Sequence, residues 1–351
     1  MSQPNRILFL YTEMAGYFLA CIDALAQRNV EVHVIHWPVN KEASFDFGAH
    51  DTVQFYDRST LADEALESLV GKIKPTVIIC SGWLDKTYVR ICRKHYGNIP
   101  TVLTSDNHWT GSPKQQIARV ISRFTIRRMF SHAWVPGAPQ QQYVHKLGFP
   151  IKNTATGFYC ADYELFHEQG QARLQRTEPV PKRFVFVGRY LDFKGIFELW
   201  KAFIRLRNEG CEWELWCFGT GALWEQRIEH EGIVHHGFAQ PAELTAKLAE
   251  TGVFVLPSHK EPWGVVVHEM AAAGFPMLCS KAVGAASKFL EEGKNGYTFT
   301  PGSEDAIYSA MKQLVAKSDA ELKAMGQHSA ALATAITPET WANTVESFIP
   351  A

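Results

Sequence analysis

The stretch 253–280, VFVLPSHKEPWGVVVHEMAAAGFPMLCS, limits the chain's fold more than any other. It opens with four apolar residues, 253–256, stopped by Pro257. A run this short, bounded by a breaker, predicts a strand buried on both faces. A polar loop follows from Ser258 to Gly264. Residues 265–273 predict a helix ended by Gly274, and 276–280 predict the next strand. The loop therefore lies at the carboxyl end of a parallel strand, where open α/β sheets bind their ligands.

Similar units recur along the chain. Strands are expected at 7–11, 30–36, 53–56, 76–80, 101–105 and 133–135. The helices among them are expected at 17–27, 61–73, 86–95, 115–130 and 140–147. The polar stretch 168–182, with Pro179 and Pro181 at its end, reads as a linker. Alternation then restarts, with strands at 184–187, 213–218, 233–235 and 297–300 around the stretch already described. Helices are expected at 197–208, 222–229, 242–250, 303–315, 319–332 and 338–348. The fold class is thus α/β with two doubly wound, Rossmann-like domains, 1–160 and 161–335, and a terminal helix within 336–351. A chain of 351 residues, 46% hydrophobic and 20% charged, fits that organisation and a soluble protein. No apolar run reaches the length of a membrane span, and the first residues lack a cationic leader. Seven cysteines without a CxxC pair suit buried thiols in a reducing compartment, so a cytoplasmic location is expected.

Two carboxylates frame the central stretch, Glu261 in the loop and Glu269 in the helix. Gly264 lets backbone approach a ligand, and the first helical N–H groups, at Val265 and Val266, can take an anion. Glu269 lies five residues beyond Gly264, roughly 7 Å along the axis. This pattern suits a diphosphate that carries polyols: N–H groups for the phosphates, a carboxylate for each hydroxyl pair. The plain alternative is two solvated glutamates. Strand 184–187 runs into Gly188 and Arg189, and Lys194 with Gly195 stands at the mouth of the next helix. A guanidinium fork and an ammonium at a strand end can both reach a diphosphate; the alternative is two solvated charges. Gly219 and Gly221 end another strand. They do not complete a dinucleotide fingerprint, because Trp224 stands where its third glycine belongs. His236 and Phe238 end the strand after that.

The residues EPWGVVVHEMAAAGFP resemble the donor-binding signature of the retaining glycosyltransferases of family 4, Glu-x7-Glu within E-P-x-G-x-x-x-x-E-x-x-A-x-G-x-P. The Gly188-Arg189 and Lys194-Gly195 pairs are similar to that family's phosphate-binding pair. The resemblance implies the GT-B fold, in which two domains face across a cleft and the last helix crosses back to the first domain. It implies a UDP-, GDP- or ADP-sugar donor, retention of anomeric configuration, and neither metal nor cofactor. Arg189 and Lys194 would hold the leaving diphosphate. Glu261 would hold donor sugar hydroxyls, with Trp263, Gly264, Val265 and Val266 beside it, and Glu269 the ribose. Gly219 and the loop of His236 and Phe238 would lie by the nucleotide. Gly16 stands where the family usually has two glycines touching phosphate; here there is one. Asp106 and His108 stand where the family carries a group aimed at the reacting sugar. Glu13, Trp83 and Trp109 are candidates for acceptor contact, with core packing the alternative for the tryptophans. The acceptor would be a glycan or a lipid-linked glycan of polysaccharide or envelope synthesis. A sugar-nucleotide epimerase of the same fold and a non-catalytic sugar-nucleotide sensor are the rival readings.

Net charge is −1 but unevenly placed. Residues 1–160 hold 17 Lys and Arg against 12 Asp and Glu, +5, and the remainder balances to −6. Within 81–160, eleven basic residues face two acidic ones, giving +9. The expected helix 115–130 carries Arg119, Arg123 and Arg127 at intervals of four, with Arg128 beside them, and Ile117, Val120, Ile121 and Phe124 largely off that stripe. Two readings stand: an ordinary surface helix packed on its sheet, or a surface for anionic lipid or a lipid-diphosphate acceptor, which would place the protein on the inner face of the cell membrane. No nucleic-acid motif accompanies the charge.

Overall fold

The computed structural model describes residues 4–38 and 52–350. The chain divides into two compact units, Met1–Asp162 with Ile336–Ala351, and Tyr163–Ala335. Each is a parallel sheet with helices.

In the first unit the strands are β1 (Asn5–Tyr11), β2 (Val30–His36), β3 (Val53–Asp57), β4 (Val77–Ser81), β5 (Thr101–Thr104), β6 (His132–Val135) and β7 (Thr154–Thr156), in spatial order 3-2-1-4-5-6-7. All six pairings are parallel. Leu8, Leu10, Ile78, Cys80 and Leu103 from the central strands enter one buried cluster with Val70, Tyr88 and Ile91 from flanking helices. Burial on both faces explains why these strands read as continuous apolar runs. The short β7 escapes sequence reading because Thr-Ala-Thr carries almost no apolar signal.

The last helix, Pro338–Ser347, belongs to this unit. Thr337 caps it in a capping box with Thr340, and Pro338 opens it with the fixed φ a first turn needs. Trp341 is buried on Phe9 and Trp134, with ring centroids 5.8 and 5.0 Å away, and its indole N–H donates to the Phe158 carbonyl at 2.9 Å. Arg28 ties the same helix from below, pairing with Glu339 at 2.6 Å and with Glu346.

The second unit holds β8 (Arg183–Val187), β9 (Glu214–Phe218), β10 (Ile233–Gly237), β11 (Val253–Leu256), β12 (Met277–Ser280) and β13 (Gly296–Phe299), in order 10-9-8-11-12-13, all parallel. Helix Val265–Ala272 buries Val267, His268, Met270, Ala271 and Ala272. Helices Tyr163–Leu174 and Asp319–Ala333 pack against it.

Four local expectations change. Part of the stretch read as a linker is the helix Tyr163–Leu174, which buries Tyr163, Phe166, Gly170 and Arg173. A Cβ on Gly170 would stand 2.2 Å from the Ala272 carbonyl oxygen, so the glycine sets the closeness of two helices. Arg173 donates to the carbonyls of Thr251 (2.6 Å) and Gly252 (2.7 Å) and lies over the Phe275 ring. A glycine and an arginine on the buried face hid the helix. The expected helix 222–229 is only a turn, Trp224–Gln226, because Leu223 is pinned through its N–H to the Tyr190 carbonyl. A short helix, Ala286–Phe289, follows β12 where none was expected.

The fourth change concerns the basic helix. It runs only over Pro113–Ile121, followed by single turns at Ser122–Phe124 and Ile126–Arg128. Ser122 is buried and donates to the Leu147 carbonyl at 2.7 Å, and Thr125 breaks the helix at φ −118°, ψ −88°. The break turns Ile126 and Phe130 into the core. It also removes Arg127 from the basic stripe: its guanidinium donates to Phe130 O (2.8 Å) and lies over the Phe149 ring. Arg119, Arg123 and Arg128 stay exposed.

Candidate functional site

In each sheet the strand order reverses direction at one place. Loops leave that place to opposite sides and open a crevice at the carboxyl ends. In the second unit it lies between β8 and β11, and the loops after these strands carry Arg189, Lys194 and Glu261.

The loop after β8 turns at Gly188, whose N–H donates to Phe218 O at 3.0 Å. Arg189 follows, exposed, and among the described residues no carboxylate lies within ion-pair distance of its guanidinium. Tyr190 anchors the loop from behind. Its ring is buried, its N–H donates to Thr220 O at 2.9 Å, and its hydroxyl meets His235 Nδ1 at 2.8 Å. His235 Nε2 lies 3.0 Å from Ile228 O, which can only accept. The proton therefore sits on Nε2, and the tyrosine donates to Nδ1. Gly219 and Gly221 lie directly against the carbonyl oxygens of Gly188 and Tyr190.

Lys194 ends the short turn Asp192–Lys194, and its ammonium pairs with Glu261 Oε2. Both side chains are 13% exposed. Ser258 Oγ donates to the same carboxylate oxygen at 3.2 Å. His259 N–H closes the two loops together on Phe193 O at 2.7 Å. Gly195, with φ +66°, begins the next helix, and a Cβ there would stand 2.4 Å from Pro257 O. Only glycine allows that approach.

Gly264 sits at φ +91° just before helix Val265–Ala272. It aims the helix start so that the N–H groups of Val265 and Val266, which have no carbonyl inside their own helix, point out of the sheet end. Glu269, half-buried, is the fifth residue of that helix. The loops after β8 and β11 thus bring two cations, an ion-paired carboxylate and a helix N-terminus to the carboxyl ends of two central strands.

The side chains of two residues expected beside the nucleotide are turned to protein neighbours. Trp263 is 2% exposed, with its ring against Phe289, so its side chain supports the loop from the core. His236 stacks on Phe218, with centroids 4.4 Å apart and planes 5° from parallel, and also touches Trp216. Burial lowers its pKa, with Lys247 adding to the shift, which keeps the imidazole neutral near pH 7. Phe238 is the exposed member of that loop.

The first unit repeats the arrangement between β1 and β4. A cavity of about 370 Å³ opens there, lined by Glu13 and Thr12 after β1, Ser81 and Trp83 after β4, Asp106 after β5, and Tyr159. Thr12 N–H donates to Ser81 Oγ at 2.8 Å, and Gly82 N–H to Thr104 O at 2.8 Å, which fixes the three strand ends to one another. Burial pushes the Tyr159 phenol well up, with Tyr17, Asp106 and Glu13 adding to it, so it stays an O–H donor through neutral pH. Glu13, Trp83 and Asp106 meet in this cavity; His108 and Trp109 are not among its lining. Trp109 packs on Tyr143 (5.8 Å) beneath the Lys146 ammonium (5.0 Å). Gly16, exposed, is the first residue of helix Gly16–Ala26, and a Cβ there would meet nothing within 4 Å. Thr12, Ser81 and Tyr159 were not singled out in the sequence. Thr12 and Ser81 could have been, as polar residues at strand carboxyl ends.

Residues 181–317 match the family model described as Glycosyl transferases group 1. The matched segment lies within the second unit and takes up most of it. The β8 and β11 loops, with Arg189, Lys194, Glu261 and Glu269, all lie inside the matched segment. The chain is 30% identical over 151 residues to glycogen synthase of Mycobacterium tuberculosis, covering 41% of this chain and 36% of that protein. It spans about a third of the length of that curated relative. Among solved structures, Anabaena Alr3699/HepE in complex with UDP and glucose superposes with TM-score 0.71 at 17% identity, over 98% of both chains. Sucrose-phosphate synthase from Thermosynechococcus elongatus does so with TM-score 0.69 at 19% identity, again over 98% of both. At these identities the likeness is one of fold: the two Rossmann-like units are those of the GT-B class. Among the described residues no helix is long and apolar enough to cross a membrane.

Proposed function

We propose that this chain is a retaining glycosyltransferase that moves a sugar from a nucleotide-diphosphate sugar to a hydroxyl of a glycan or lipid-linked glycan, without a metal ion. The observation that carries the reading is the Arg189, Lys194 and Glu261 constellation beside the start of helix Val265–Ala272. The hard step is departure of the diphosphate as the anomeric carbon gains oxocarbenium character. Arg189, with no competing carboxylate among the described residues, supplies a bidentate fork to a phosphate. Lys194 supplies a second fixed charge, and the Val265 and Val266 N–H groups a third contact. Together they stabilise the charge that a divalent ion would otherwise balance. Glu261, held by Lys194 and Ser258, keeps lone pairs for donor sugar hydroxyls, and Glu269 takes the ribose. Retention requires the acceptor to attack on the face the diphosphate leaves. The HepE structure was solved with UDP and glucose, which makes a UDP-sugar the first donor to try.

The first-unit cavity suits the acceptor. Its two carboxylates, Glu13 and Asp106, accept from hydroxyls, Tyr159 donates, and Trp83 offers an aromatic wall. Among the described residues no lysine or arginine lines it, which favours an uncharged polyol over a phosphorylated one.

The test is a two-stage assay. Thermal shift with UDP-, GDP- and ADP-sugars finds the donor, since a ligand that binds only the native state raises the melting point. Proton NMR of the anomeric centre then follows transfer to glycan acceptors with EDTA present. An α-linked product from an α-linked donor, unaffected by EDTA, is expected. Inverted product or EDTA-abolished turnover would refute the mechanism. Turnover that needs no acceptor would favour the epimerase reading, and binding without turnover the sensor.

A further inference from the structure

Helix Pro113–Ile121 buries none of its residues. Its apolar side chains stand out of the first unit: Val120 is 72% exposed, Ile117 61%, and Ile121 and the nearby Phe124 44% and 55%. They fall at i, i+3, i+4 and i+7, the spacing that lays one continuous stripe along a helix. Such a stripe ordinarily faces a core. Here the core-facing work is done by Ser122 and, after the break at Thr125, by Ile126 and Phe130, and the stripe points outward. The segment is held in that pose by the Ser122 bond to Leu147 O and by the Arg127 bond to Phe130 O. Exposure is therefore a fixed property of the surface.

The surroundings decide what would cover it. Lys114, Arg119, Arg123 and Arg128 are exposed around the stripe, and the Arg123 guanidinium lies 4.4 Å over the Phe124 ring. From Asn107 to Cys160 the chain has seven Lys and Arg and no Asp or Glu. A second copy docked by this face would set cations against cations with no carboxylate between them. Anionic headgroups above an acyl boundary match both halves of the surface: guanidinium groups meet phosphate, and Ile, Val and Phe side chains enter the interface.

We propose that residues 113–124 are an interfacial anchor that seats the first unit on an anionic lipid bilayer. Ile117, Val120, Ile121 and Phe124 enter the headgroup boundary, and Arg119, Arg123 and Arg128 pair with the phosphates. None of residues 113–124 lines the first-unit cavity, and the proposal holds whichever reaction the strand-end sites perform.

Flotation of the full chain with vesicles of phosphatidylcholine, alone or with about a third phosphatidylglycerol, tests it. The wild-type chain is expected to float with the anionic vesicles only. The Arg119→Gln/Arg123→Gln/Arg128→Gln variant should lose about fivefold in partitioning per charge, on the order of a hundredfold in total. Val120→Ser/Phe124→Ser should also lose binding, and should lose the fraction that persists in 0.5 M salt, while its melting temperature stays that of wild type because both side chains are exposed. Three results would overturn the proposal: no flotation with anionic vesicles at low salt, equal flotation with neutral ones, or Val120→Ser/Phe124→Ser floating like wild type. A wild-type dimer that this variant abolishes, without vesicle binding, would assign the face to a second copy instead.

Discussion

Lys194→Ala removes a charge that the proposed reaction needs and a partner that Glu261 has in the resting fold. The two effects have different sizes and can be separated. On the chemical side, losing one preorganised donor to a developing anion lowers kcat by about 10²–10³, or ~2.7–4 kcal/mol. On the structural side, Glu261 is 13% exposed and would be left with only the Ser258 hydroxyl at 3.2 Å. A buried charged acceptor stripped of a partner costs about 1–3 kcal/mol or more, and the surviving hydroxyl and partial exposure place this case at the lower end. For a unit of about 170 residues each kcal/mol moves Tm by roughly 2–4 °C, so a fall of about 2–6 °C is expected. Lys194→Ala/Glu261→Gln removes the orphaned charge. Its Tm should return most of the way to wild type while its kcat stays at or below that of Lys194→Ala. Differential scanning calorimetry and a coupled assay for released nucleoside diphosphate read the two quantities on the same samples. If the double variant recovered turnover along with Tm, the loss would be one of folding and the leaving-group role of Lys194 would be wrong.

Other substitutions probe the remaining supports. Gly195→Ala puts a Cβ 2.4 Å from Pro257 O at φ +66°; the backbone strain alone is about 1–2 kcal/mol, and the displaced Lys194 should lower kcat at least tenfold, measured beside the melting temperature. Asp106→Asn and Glu13→Gln each weaken a charge-assisted bond worth about 1.5–3 kcal/mol, so acceptor KM should rise roughly ten- to hundredfold while donor KM holds; an unchanged acceptor KM would remove the cavity from the acceptor path. Trp341→Ala empties a buried site in the first unit and orphans the Phe158 carbonyl; urea unfolding should record a loss of about 3–5 kcal/mol.

How much of this was legible in the sequence depends on whether a residue's role is set locally or by what packs on it. The strands at 30–36 and 253–256 and the helix at 86–95 were readable to the residue, because a doubly buried strand needs only an apolar run and a helix start needs only a cap such as Asp85, which accepts from Thr87 and Tyr88 N–H. Lys194 and Glu261 were readable as site residues because Lys194 directly precedes the glycine that begins a helix and Glu261 lies in a strand-end loop three residues before another. Their mutual ion pair was not, since 67 residues separate them and the pairing exists only once β8 and β11 are neighbours. Trp263 is the opposite case: its place in the loop is local and legible, but the direction of its side chain is set by Phe289.

The basic segment shows the limit most clearly. Periodicity established that Ile117, Val120, Ile121 and Phe124 share a face. Which way the face points depends on the break at Thr125 and on one buried serine, and neither leaves a mark in a hydrophobic pattern. A stripe at helical spacing reports that apolar side chains stand together; it carries no information on whether protein or another phase covers them. A long helix with a basic face would dock by charge alone and detach in salt. A short helix that buries nothing, with the turns after it, presents four exposed apolar side chains among four exposed cations and should hold part of its binding when the charges are screened, because screening acts on the cations and leaves the apolar contact in place.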